Sequence, residues 1–86
     1  MNTAVFFDFD GVITDSEPLH FRAYQAALEP DGLGFTWADY LGEYIGYDDR
    51  AVFRLVFERA GRALDDAALR ARIAAKGRAF LELTER

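Results

Sequence analysis

Residues 4–20 read Ala-Val-Phe-Phe-Asp-Phe-Asp-Gly-Val-Ile-Thr-Asp-Ser-Glu-Pro-Leu-His. The opening run Ala4, Val5, Phe6, Phe7, Asp8, Phe9 is apolar almost without interruption, the pattern of a strand buried on both faces, as in a parallel sheet flanked by helices. Gly11 breaks it. Side chains alternate along a strand, so Asp8 and Asp10 turn to the same side. They also stand at the strand's end, where open α/β sheets place their ligand crevice. One carboxylate so placed can attack phosphorus and form an aspartyl-phosphate, splitting a difficult displacement into two easier ones. The other can protonate the leaving oxygen and later activate water. Such chemistry needs a divalent cation between two anions, and Mg2+ suits an oxygen-only donor set. Gly11 and the amide of Val12 allow a phosphate to approach the backbone closely.

Beyond this loop the pattern turns helical. Asp15 or Ser16 can cap a first helix with Pro18 in its first turn and Phe21, Tyr24 and Leu28 along it. Pro30 disfavours helical geometry before it, so the stop is expected near Glu29. Asp31, Gly32, Leu33 and Gly34 form a loop. Thr36 caps a short second helix with Trp37, Tyr40, Leu41 and Tyr44, which Gly46 ends or bends. Asp48 and Asp49 open a third helix with Val52, Phe53, Val56, Phe57 and Ala60 on one face, and Gly61 stops it. Asp65 or Asp66 caps a fourth, carrying Leu69, Ile73, Phe80 and Leu81. The aromatics Trp37, Tyr40, Tyr44, Phe53 and Phe57 are spaced for core packing. Arg70, Arg72, Lys76 and Arg78 read as a solvated face, because Asp65, Asp66, Glu82 and Glu85 flank them.

The chain has 86 residues, which sets one domain as the ceiling. It is 51% hydrophobic and 15% aromatic, so it packs a core and is not a disordered chain. A net charge of −5 offers no footprint for nucleic acid or an anionic membrane surface. No cysteine is present, which excludes disulfides and thiolate metal sites and is compatible with a reducing compartment. Asp8 and Asp10 interrupt the N-terminal apolar stretch, and no stretch approaches the ~20 apolar residues of a membrane span. The chain therefore reads as soluble and cytoplasmic, with no membrane or nucleic-acid partner.

The thirteen ordered positions from Asp8 to His20 closely resemble the first motif of the haloacid dehalogenase superfamily, in its β-phosphoglucomutase and phosphoglycolate-phosphatase branch. The resemblance implies an α/β, Rossmann-like parent fold. Of that fold this chain would hold the first core strand and nucleophile loop (residues 1–14) and a four-helix cap (residues 15–86), and so be mostly α as it stands. It implies that Asp8 is the nucleophile and a magnesium ligand. It implies that Asp10 is the general acid/base and gives its backbone carbonyl to the metal. True dehalogenases lack the second aspartate, so Asp10 points to phosphate esters. By the same resemblance His20 lies near the hinge between core and cap, Lys76 matches a lysine that faces the active site, and Gly46 lies in a cap loop that contacts substrate. Arg50 follows that loop, and its planar fork suits an anion. The sugar-phosphate mutases carry a lysine before this glycine. Ile45 stands here, which favours a phosphatase acting on a small phosphorylated metabolite over a mutase.

The same family needs a Ser or Thr, a Lys and a later acidic pair from strands beyond the cap, and none follows Arg86. A lone strand also lacks a ladder partner, so a missing core segment or self-association is expected to be needed for stability. The alternative is a non-catalytic helical binding module that retains the strand. The 86 residues alone are expected to show little or no phosphatase activity. Magnesium-dependent hydrolysis of p-nitrophenyl phosphate by this chain, abolished by Asp8→Ala, is the result that overturns this.

Overall fold

A computed structural model of the chain describes residues 16–85. The strand expected at residues 4–9 and the loop residues Asp8, Asp10, Gly11 and Val12 lie outside that range, and within it every regular element is helical. Helix α1 spans Glu17–Leu28, with Ser16 at its N-cap position and Pro18 in the first turn, where a missing N–H costs nothing. Pro30 does not end the winding at once. The chain tightens into a 3-10 turn over Glu29–Asp31, and Gly32 reverses it at φ 72° while donating its N–H to Glu29 O at 2.9 Å.

Helix α2, Trp37–Asp39, starts in a capping box: Thr36 Oγ1 accepts from Asp39 N at 3.0 Å while the Asp39 carboxylate accepts from Thr36 N. It is only one turn long. It continues into a π turn over Tyr40–Tyr44, closed by Ile45 N donating to Tyr40 O at 2.7 Å. The sequence pattern predicts one ordinary short helix here. The wider turn lets Tyr40 and Tyr44 both bury, at 4% and 5% exposure. Helix α3, Asp49–Arg59, and helix α4, Asp66–Thr84, begin alike: Asp48 accepts from Ala51 N at 2.9 Å and Asp65 from Ala68 N at 2.8 Å. Gly61, at φ 70°, follows α3 as the stop the sequence implies.

The core is one cluster. Tyr24, Ala27 and Leu28 of α1, Tyr40 and Tyr44 of the π turn, Val52, Phe53, Val56 and Phe57 of α3, and Leu69 of α4 are all buried in it. Helix α1 lies chiefly against α4, and α3 packs on α4 as well. Tyr24 meets Phe53 edge-on at 5.5 Å between centroids, and Phe35 packs on Tyr44 at 4.6 Å. Two residues expected in apolar surroundings sit further out. Trp37 is 36% exposed, a rim residue packed edge-on against Phe21 at 5.3 Å, and Leu81 is 59% exposed near the end of α4.

The expectation of a wholly solvated basic face on α4 is also corrected. Arg70 and Arg78 are exposed, but Lys76 is buried and Arg72 is held. Arg72 grips Asp31 with two bonds, Nε at 2.9 Å and Nη2 at 2.6 Å, and this fork raises the Arg72 pKa. Arg62 reaches the same turn, donating to Asp31 O at 2.8 Å. The two guanidinium groups also lie over the Phe57 ring.

Phe53 is fully buried at the centre of this cluster. Phe53→Ala is expected to lower the unfolding free energy by about 3–5 kcal/mol, measured by urea denaturation followed by circular dichroism.

Candidate functional site

A buried ammonium organises the end of the bundle where α1 begins. Lys76 Nζ, projecting from α4, lies 2.8 Å from His20 Nδ1 on α1 and donates to Asp49 Oδ1 on α3 at 3.0 Å. Tyr24, one turn beyond His20, donates its hydroxyl to the same Asp49 oxygen at 2.6 Å, and its ring lies 4.6 Å from the ammonium. Phe80, one turn beyond Lys76, stacks on His20 with centroids 4.4 Å apart. Three helices thus converge on one charge. A buried ammonium without a partner costs several kcal/mol, which the carboxylate, imidazole and ring offset here.

These contacts fix a proton. An ammonium only donates, so His20 Nδ1 must accept and the ring is the neutral tautomer with its proton on Nε2. The electrostatics agree: burial first, then the adjacent Lys76 charge, push the His20 pKa below its ordinary 6.5. The Tyr24 pKa is raised well above its ordinary value, by burial and by the bond to Asp49. Beside the cluster, the Tyr40 hydroxyl donates to Glu17 in the first turn of α1, and burial with that bond raises the Tyr40 pKa as well.

The Lys76 side chain is only 6% exposed, whereas that of Asp49 is 34% exposed. His20 is partly exposed as well, so the ammonium is the enclosed member of the cluster and its two acceptors lie nearer solvent.

Of the residues singled out in the sequence, His20 and Lys76 come together in this cluster. Gly46 follows the π turn at φ 93°, a left-handed conformation that favours glycine. Arg50 is exposed in the first turn of α3 and lines an open depression of about 410 Å³ with Asp48, Arg54 and Glu58, apart from the His20 and Lys76 contacts. Asp8, Asp10, Gly11 and Val12 lie outside the described residues.

Asp49 and Tyr24 were not singled out. The spacing of His20 and Tyr24 at i and i+4 placed them on one helix face. Asp49 was masked by Asp48, because two adjacent acids at a helix start read alike when one caps and the other turns inward. Among the described residues no group of three or more His, Cys, Asp or Glu side chains is disposed to hold a metal. No described helix is long and apolar enough to cross a membrane.

The described residues form a helical unit with an ionisable cluster at the end where its first helix begins. The family model for haloacid dehalogenase-like hydrolases matches residues 5–82, and the chain belongs to that family. A phosphorylated carbohydrates phosphatase of Thermotoga maritima is 52% identical over 33 residues, which are 38% of this chain and 15% of that protein. The chain matches only a small part of that relative's length. No solved structure matches the chain.

His20 is the only histidine, so its ring protons can be followed by NMR without ambiguity. Its titration midpoint is expected below 6.5, and Lys76→Met is expected to move it upward by removing the neighbouring charge. The sign for stability follows from the direction of the shift. A lowered folded-state pKa gives stability that is present above 6.5 and lost as pH falls from there through the folded-state value. Urea midpoints between pH 5 and 8 check this, and in His20→Gln the slope over that window is expected to disappear.

Proposed function

We propose that the chain supplies the nucleophile loop and cap of a magnesium-dependent phosphatase that acts on a small phosphorylated metabolite through an aspartyl-phosphate. The observation that carries this reading is the family match over residues 5–82, which includes both Asp8 and Asp10 and the cap residues His20, Asp49 and Lys76. The phosphatase name of the Thermotoga maritima relative supports the reaction class. In this reading Asp8 attacks phosphorus, and Asp10 gives its proton to the leaving oxygen, then takes one from the attacking water.

A metal would rest on the Asp8 carboxylate and the Asp10 carbonyl, an all-oxygen set suited to Mg2+. When bound it offsets the charge between Asp8 and the phosphate. Gly11 and the Val12 amide hold the phosphate close to the backbone. The cap end carrying His20 meets the rest of the substrate.

Ile45 before Gly46 favours hydrolysis over mutase chemistry, because no cation stands there to hold a second phosphate. The cytoplasm is the proposed compartment, and partner sequence completing the core is proposed to be required.

In the intact protein, Asp8→Asn is expected to eliminate turnover of p-nitrophenyl phosphate. Asp10→Asn is expected to slow it by about 10²–10⁴-fold, the usual worth of a positioned acid/base. Removal of magnesium with EDTA is expected to abolish activity, and its return to restore it. Unchanged turnover in Asp8→Asn contradicts the reading.

A further inference from the structure

Helix α4 holds the His20 ring in two ways. Lys76 Nζ donates to its Nδ1 at 2.8 Å, and the Phe80 ring stacks on it with centroids 4.4 Å apart and planes 21° apart. The charged groups that act on the ring come from three helices. Lys76 faces it from α4 and Asp49 from α3, while Glu17 stands three positions earlier on α1 itself. Residues three apart on a helix are neighbours, so Glu17 and His20 can meet with no change in the backbone. The two tyrosines nearby are committed elsewhere, Tyr24 to Asp49 and Tyr40, from the π turn, to Glu17.

The contact with Lys76 survives only while the ring is neutral. A proton on Nδ1 turns the acceptor into a donor, so an imidazolium N–H would then point at an ammonium N–H. Neither nitrogen of an imidazolium accepts, and turning the ring over in place does not repair the contact. Lys76 keeps other partners, Asp49 Oδ1 at 3.0 Å and the Tyr24 ring at 4.6 Å, and its side chain is enclosed. His20 is partly exposed and lies in the first turn of α1. The group that moves is therefore the histidine. Burial and the Lys76 charge oppose its protonation, and the charges of Glu17 and Asp49 favour it.

We propose that His20 is a proton-operated latch between α1 and α4: neutral, it accepts from Lys76 and stacks on Phe80, and protonated, it leaves both and pairs with Glu17 on its own helix. The latch belongs to the helical bundle and stands whether or not the phosphatase reading holds. Its opening removes the hydrogen bond between α1 and α4 at the beginning of α1. The fork of Arg72 on Asp31, beyond the other end of α1, contains no histidine and stays closed. As pH falls, a helix pair tied at two places becomes one tied chiefly at one.

The test is NMR of the full chain from about pH 8 to about pH 4.5, a window that brackets histidine titration. Above the midpoint, nuclear Overhauser contacts are expected between the His20 and Phe80 rings. They are expected to fade with the His20 titration while contacts from the ring to the Glu17 side chain appear and those between Tyr24 and Phe53 stay. Glu17→Gln is expected to lower the midpoint by about 0.2–0.4 pH unit, the worth of one charge pair on a helix surface. In Lys76→Met nothing repels the imidazolium, so the His20–Phe80 contacts are expected to persist through the titration, which a general loosening in acid does not produce. Should Lys76→Met not fold, Lys76→Gln serves, because its amide donates to the neutral ring and accepts from the imidazolium. Persistence of the His20–Phe80 contacts in the native chain once the ring is protonated overturns the proposal. So does their loss without a Glu17 contact, or together with the Tyr24–Phe53 contacts.

Discussion

A single buried ammonium sets the terms for the helical bundle. Lys76 leaves α4 for an interior position that would be prohibitive without partners, and those partners come from the two other long helices: His20 and Tyr24 from α1, Asp49 from α3. Each contact is directional, so the three helices are fixed relative to one another at that end more sharply than apolar packing alone would fix them. The tautomer of His20, the orientation of the Tyr24 hydroxyl and the inward turn of Asp49 all follow from the same charge. The aromatic cluster of Phe21, Phe35, Trp37, Tyr40 and Tyr44 then fills the space beside α1, and Glu17 ties Tyr40 to the start of that helix.

The division of labour between apolar and polar contacts explains what the sequence discloses and what it hides. Helices α1, α3 and α4 are legible because periodicity, Asp caps and glycine stops act over a few residues: Asp48, Asp65 and Gly61 do in the structure what their types imply. The apolar face of α3 is legible for the same reason, with Val52, Phe53, Val56 and Phe57 buried as their spacing requires.

The π turn is not legible, because Tyr40–Tyr44 widens to satisfy tertiary packing of two tyrosines and no local signal encodes that. Nor is the fate of the α4 basic residues. Arg72 and Lys76 differ from Arg70 and Arg78 only in having acids opposite them, at Asp31 and Asp49, which are 41 and 27 residues away along the chain. His20 and Lys76 were reached through a family resemblance. Asp49, which neutralises one and neighbours the other, carries no mark in a one-dimensional reading beyond a helix-starting acid.

The fork between Arg72 and Asp31 has a further meaning when set beside the Lys76 contacts. Asp31 follows the C-terminal end of α1 and His20 lies near its beginning, while their partners Arg72 and Lys76 stand one turn apart on α4. Two attachment points along one antiparallel helix pair fix both its slide and its roll, since a displacement by a single helical pitch would break both at once. The pair therefore behaves as one stiff beam. A load at the beginning of α1 is therefore shared with α4 at two separate points.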